Sequence, residues 1–364
     1  MHFTKQIVVV LCLLSFLSGG LSLYNGKAVS ACSRVLSADN GQAVLVGRNM
    51  DWGEDTGTAL WVFPRGIKRN GMAGKNSLTW TSKYGNIVVA SYSPNGKGSV
   101  TDGMNEKGLA ANLLWLNQSG YGARDEKRPG LLIAFWAQYI LDNYATVEEA
   151  VQAIKKDTFQ IITLEFPGPG MKTKTASLHL SLADKSGDSA IVEYIGGKPV
   201  IHHDRRYVIM TNDPPFEKQQ ENLKHYEGFG GQKAIPGTTA AADRFVRASY
   251  YMKLLPKPKN LRESLAGVLS VTRNISQPFR VSADPNNPFS STTIWRSVAD
   301  LTHLAYFYES TMSPYLTWVT LSDFNLEEGS PSMRLDMRNN PDYNGDVTKK
   351  FVNWDPAEIL DFSL

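Results

Sequence analysis

The chain reads as a layered protein in which helices pack on antiparallel sheets, one domain over residues 32–364 behind a short leader. Three observations predict this. Strand-like and helix-like segments come in blocks, in the order strands, helices, strands, helices, strands, without the strict alternation of a doubly wound sheet. Two alternating runs within residues 177–195 flank a polar turn, the mark of a hairpin, which joins antiparallel strands. No linker-like stretch divides the chain after residue 31.

The elements follow in order. Residues 7–17 are apolar apart from Ser15, Lys5 supplies a positive flank, and Val29-Ser30-Ala31 presents the small residues a signal peptidase reads. Residues 1–31 are therefore expected to be a signal peptide, removed on export, with the mature protein in the periplasm. The apolar run falls short of the about 20 residues of a membrane-spanning helix, and no later segment approaches that length without charges, so no membrane span is expected. Residues 43–49, 58–64 and 86–93 read as strands bounded by Gly, Asn and Asp, and 108–116 is a further apolar run. Residues 131–141 are apolar and aromatic at helical spacing. Thr146-Val147-Glu148-Glu149 is a capping box that opens a helix through Lys156. These two helices are expected to cover one face of a sheet.

Residues 177–183 and 189–195 form the hairpin around Asp184-Lys185-Ser186-Gly187-Asp188, and 207–211 is a short strand ending at Asn212. Residues 228–237, rich in Gly, Pro and Lys, read as a surface loop. Residues 239–255 and 261–271 have helical patterning, and 293–298, 305–309 and 316–321 return to strands.

Composition narrows the function. Hydrophobic residues make up 42% and charged residues 20%, as in ordinary globular proteins. The formal charge of +3 includes Lys5 and Lys27 of the leader, so the remainder is close to neutral. That leaves no electrostatic case for nucleic acid or an anionic membrane surface. His2, His179, His202, His203, His225 and His303 show no metal-ligand spacing, so neither metal nor other cofactor is expected. Gly228-Phe229-Gly230-Gly231 does not join a strand to a helix as a dinucleotide loop does.

The chemistry centres on Cys32. The other cysteine, Cys12, lies in the leader, and Cys32 directly follows Ala31. Cleavage between them makes Cys32 the N-terminal residue, with a thiol and an α-amine on one residue. A free thiol has a pKa of about 8.5, and an α-amine of about 7.7–8.0 is well matched to take its proton. Gly47-Arg48-Asn49-Met50-Asp51-Trp52 places Arg48 and Asp51 at the end of the second strand, where a hairpin brings them beside Cys32. Arg48 would stabilise a thiolate and Asp51 would orient the amine. By themselves these residues also fit a buried inert cysteine and an ordinary strand-end turn with a surface Arg/Asp pair. Val29-Ser30-Ala31-Cys32 fits a lipobox as well, which would make the chain a non-catalytic lipoprotein anchored through Cys32. Against this, Tyr24-Asn25-Gly26-Lys27 separates the apolar run from Cys32, and no flexible Ser/Gly tether follows it.

A wider set of motifs carries a family resemblance. Beyond Cys32 and Arg48-Asn49-Met50-Asp51-Trp52, the chain holds Phe63-Pro64-Arg65-Gly66 and Gly103-Met104-Asn105-Glu106-Lys107-Gly108-Leu109. It continues with Met210-Thr211-Asn212-Asp213-Pro214-Pro215-Phe216 and Asp243-Arg244-Phe245-Val246-Arg247-Ala248. In order and spacing these resemble the choloylglycine hydrolase family of N-terminal nucleophile hydrolases, which includes penicillin V acylases and conjugated bile acid hydrolases. The resemblance implies an α+β, four-layer αββα fold, with two antiparallel sheets between helical layers. It implies an amidohydrolase acting on linear amides, with Cys32 as nucleophile, Arg48 as its electrostatic partner and Asp51 as the carboxylate facing the amine. Asn212 resembles the side-chain oxyanion donor and Arg244 the second arginine of the site. Trp295-Arg296-Ser297-Val298-Ala299-Asp300 is also family-like, with no assignable chemistry.

One position departs from the pattern. Trp115 stands where many members of the family have asparagine, which resembles the penicillin V acylase-like subgroup of Gram-negative bacteria. Trp52 and Trp115 are expected to form an aromatic wall, favouring an aromatic or fatty acyl group over a rigid steroid. Penicillin V and N-acyl-homoserine lactones are thus the expected substrates, a conjugated bile acid the alternative, and a homotetramer the assembly the resemblance implies.

Overall fold

The computed structural model describes residues 32–53, 57–92, 98–163, 165–168, 171–279 and 291–354. The expected signal peptide, residues 1–31, lies outside them, as does Ser93 at the end of the strand expected at 86–93.

Two large sheets dominate. The seven-stranded sheet runs Ile209–Thr211, Ser33–Ser37, Leu45–Trp52, Thr292–Asp300, Ala305–Ser310, Thr317–Thr320 and Gly345–Asp346. The nine-stranded sheet runs Lys198–His203, Ser189–Ile195, Leu178–Asp184, Leu109–Trp115, Gly98–Asn105, Asn86–Tyr92, Ala59–Phe63, Ser332–Asp336 and Val352–Trp354. Pairing in both is antiparallel except at one edge, where Gly345–Asp346 lies parallel to Thr317–Thr320.

The period of two along each strand builds the layers. In Ala59–Phe63, Leu60 and Val62 join the core between the sheets, which also holds Val46, Met50 and Ala299. Ala59, Trp61 and Phe63 point the other way, into a second core with helices α1 (Trp136–Asn143) and α2 (Val147–Lys155). After α3 (Phe216–Leu223), helices α4 (Ala241–Leu254) and α5 (Leu261–Asn274) cover the outer face of the seven-stranded sheet through Phe245, Ala248, Val268 and Leu269. The order helix, sheet, sheet, helix is the expected αββα arrangement.

Some boundaries differ from the sequence reading. The second strand extends to Trp52, so Arg48 and Asp51 lie inside it. It is hydrogen-bonded on both sides, to Ser33–Ser37 and to Thr292–Asp300, and that ladder carries it past the polar residues. The helix expected at 131–141 is helical only from Ile133, first as a 3₁₀ turn, because Gly130–Leu132 pairs with Gln160–Ile162. The capping box holds: Thr146 Oγ1 accepts from Glu149 N at 3.2 Å, while the Glu149 carboxylate accepts from Ala145 N at 2.8 Å. The strand Gly98–Asn105 escaped notice, since its buried side chains include Asp102 and Asn105 and leave no apolar alternation.

Candidate active site

Cys32 opens the strand Ser33–Ser37, wedged between two others. Ser33 pairs with Thr211 on one side and with Asn49 on the other. Carried one residue back, that register sets Cys32 opposite Asn212 and opposite Met50. Side chains alternate along Leu45–Trp52. Arg48, Met50 and Trp52 face the opposite sheet with Cys32, while Asn49 and Asp51 face the helices. Gly47 makes that helix contact possible, because a Cβ there would lie 2.7 Å from both Thr272 Cγ2 and Val268 Cγ1 of α5.

The thiol is buried, with Met50 Sδ at 3.9 Å and the Asp51 carbonyl at 3.8 Å. Arg48 crosses from one sheet to the other beside it. Its Nη2 lies 3.9 Å from Cys32 Sγ and donates to the Leu113 carbonyl at 2.6 Å. Its Nη1 donates to the Thr101 carbonyl at 2.8 Å and faces Asp102 Oδ2 at 3.5 Å. The guanidinium carbon sits 5.1 Å over the Trp295 ring. Burial pushes the Cys32 thiol up from its usual value, and Arg48 is the strongest influence in the opposite direction.

Asp51 and Arg244 meet on the helix side. One Arg244 nitrogen donates to Asp51 Oδ2 and to the Cys32 carbonyl, each at 3.2 Å, so the carboxylate is held beside the Cys32 main chain. Thr293 Oγ1 donates to Asp51 Oδ1 at 2.5 Å. Burial still raises the Asp51 carboxyl to about 6, against the pull of Arg244, Thr293 and Arg48.

Two β-bulges aim these groups. The ladder between Leu45–Trp52 and Thr292–Asp300 slips between Thr293 and Trp295, and that between Asn86–Tyr92 and Gly98–Asn105 slips between Val89 and Ala90. The first sets Thr293 against Asp51. The second leaves Thr101 without a register partner, and its carbonyl serves Arg48. Bulges concentrate beside active sites for this reason.

Asn212 is buried, and neither its amide nitrogen nor its amide oxygen has a partner among the described residues. An unpaired buried amide costs about 1–3 kcal/mol, and strand register sets this one opposite Cys32. The next residue, Asp213, accepts from Asn117 N at 3.0 Å and Asn117 Nδ2 at 2.9 Å, and Asn117 Oδ1 accepts from Trp115 Nε1 at 2.8 Å. Trp115 reaches across the sheets to Trp52, their ring centroids 5.9 Å apart and tilted by 52°. All seven residues singled out in the sequence thus belong to one neighbourhood.

Sequence reasoning missed Asp102, Thr293, Met50 and Asn117. A signal existed for the first, which directly precedes Gly103-Met104-Asn105-Glu106. The stretch beginning at Trp295 also gains a role: Trp295 lies against Arg48, and Ser297 Oγ donates to Asp102 Oδ2 at 2.9 Å. Among the described residues, no group of His, Cys, Asp and Glu is arranged to hold a metal ion, and no helix is long and apolar enough to cross a membrane.

Comparison with known proteins shows the family. The profile of linear amide C–N hydrolases, choloylglycine hydrolase family, matches residues 32–343. Penicillin V acylase of Pectobacterium atrosepticum is 43% identical over 99% of this chain and 98% of its own. The structure of penicillin V acylase from Agrobacterium tumefaciens superposes with a TM-score of 0.78 at 45% identity, covering 90% of this chain and 98% of that one. A variant of conjugated bile acid hydrolase from Clostridium perfringens shares the fold, with a TM-score of 0.68 at 21% identity over 84% of this chain and 97% of that one. This chain belongs to the choloylglycine hydrolase family and is a linear amide C–N hydrolase of the penicillin V acylase and bile salt hydrolase type.

Proposed function

We propose that Cys32, exposed as the N-terminal residue by removal of residues 1–31 on export to the periplasm, is the nucleophile, and that the substrates are penicillin V and N-acyl-homoserine lactones. The observation that carries this is the convergence on one buried sulfur of Arg48, the Asp51–Arg244 pair and the unpaired amide of Asn212. The family match begins at Cys32, in keeping with that processing point.

The α-amine takes the thiol proton, and Asp51 holds the resulting ammonium. The thiolate attacks the amide carbonyl carbon, and the negative charge moves to its oxygen. Asn212 Nδ2 and the main chain near Trp115 receive that oxyanion. The C–N bond breaks as the ammonium returns its proton to the leaving nitrogen. Water, deprotonated by the same amine, attacks the thioester, releasing the acid and restoring the thiol. The Trp52–Trp115 pair offers an aromatic face to an aryl or fatty acyl group, so a conjugated bile acid is the poorer fit.

The test is a side-by-side assay of penicillin V, a long-chain acyl-homoserine lactone and glycocholate, with Cys32→Ser as control. Cys32→Ser is expected to fold and to be inactive. A clear preference for glycocholate would reverse the substrate reading, and a diacylglyceryl mass on Cys32 would remove the free amine the cycle needs.

A further inference from the structure

Asp102 is buried in the nine-stranded sheet, across the interface from the strand that carries Arg48. Its carboxylate accepts from Asn112 Nδ2 at 3.0 Å and Ser297 Oγ at 2.9 Å, and faces Arg48 Nη1 at 3.5 Å. The other terminal nitrogen of the same guanidinium faces Cys32 Sγ at 3.9 Å. One cation is therefore divided between a fixed carboxylate and the sulfur.

The charges around the site balance. Arg48 and Asp51 from the Leu45–Trp52 strand and Arg244 from α4 act on the sulfur, and Asp102 and Tyr306 lie behind Arg48. Two guanidinium groups meet two carboxylates, with a buried phenol beside them. Arg296, which also acts on Asp51, is paired with Glu309. Burial raises the Asp102 carboxyl against the pull of Arg48, Ser297 and Tyr306. In such a cage a thiolate on its own adds an unmatched charge in a low-dielectric interior, whereas a thiolate with an ammonium adds none.

We propose that Asp102 is a positioning residue that withholds part of the Arg48 charge from Cys32, so that the thiol ionises together with its own α-amine and not under Arg48 alone. This rests on the reading of Cys32 as the nucleophile.

The experiment compares processed wild type with Asp102→Asn, close to isosteric and able to keep the contacts to Asn112 and Ser297. The readouts are the pH dependence of Cys32 alkylation by iodoacetamide and of kcat/KM for penicillin V. Loss of the carboxylate charge moves the midpoint of alkylation about 0.5–1 pH unit lower. Arg48→Met moves it higher, and Asp102→Glu, which keeps the charge, leaves it in place. Asp102→Ser, also uncharged, gives the downward shift where Asp102→Asn does not fold. An unmoved or raised midpoint in the uncharged variants overturns the inference even if kcat falls, since loss of structure alone gives that result. Cys32→Ser run in parallel separates the two claims: hydrolysis by that variant removes the nucleophile reading, whereas its inactivity with an unmoved Asp102→Asn midpoint removes only the role of Asp102.

Discussion

Arg244 meets Asp51 at 3.2 Å with neither side chain exposed to solvent. Removing one partner of such a pair leaves the other as an uncompensated charge, which costs about 3–5 kcal/mol. Arg244→Met is expected to lose stability on that scale at pH 8, read by urea unfolding. The double variant Arg244→Met with Asp51→Asn recovers much of it. A single variant as stable as wild type would show that the pair carries no such strain.

Asp51 links stability to pH. Its carboxyl is raised in the folded protein to about 6, from 3.8 when unperturbed. Between those values the folded state binds more proton than the unfolded state, so stability falls as pH rises. The contribution is complete below about pH 4 and lost above about pH 6, amounting to about 3 kcal/mol. Asp51→Asn removes this part of the slope. Urea titrations of both proteins at pH 4, 5, 6 and 7 measure it, and parallel curves would contradict the assignment.

Asn212 should separate catalysis from stability. Its side-chain amide has no partner among the described residues. Asn212→Ala is therefore expected to leave the Tm unchanged or slightly raised. Loss of an oxyanion donor lowers kcat by about 10²–10³-fold. A fall in Tm with kcat intact would assign Asn212 to the architecture.

Trp115 is the expected determinant of acyl preference. Trp115→Asn removes the ring that meets Trp52 and opens space between the sheets. The ratio of kcat/KM for penicillin V to that for glycocholate is expected to fall by about 10-fold, the range one apolar contact supports. Thermal unfolding of the variant reports any loss of packing, and an unchanged ratio would move the specificity elsewhere.

Much of the fold and site was legible along the chain. The hairpin around residues 184–188 and the box at Thr146 follow from local patterning, and the structure has both. Cys32, Arg48, Asp51, Trp52, Trp115, Asn212 and Arg244 lie in short motifs whose residue types suit acyl transfer. Their partners were less visible. Asp102 meets an arginine 54 positions earlier, and Thr293 meets a carboxylate 242 positions earlier.

Local sequence picked out a candidate cysteine, two arginines, a carboxylate and an amide as residue types suited to acyl transfer, and the family resemblance supplied the roles expected of them. Which of them touch was settled by the packing of two sheets. Strand register puts Asn212 opposite Cys32, a bulge at Thr293 braces Asp51, and another beside Thr101 frees a carbonyl for Arg48. Register and bulges arise from how whole strands fit together, and no short stretch of residues encodes them.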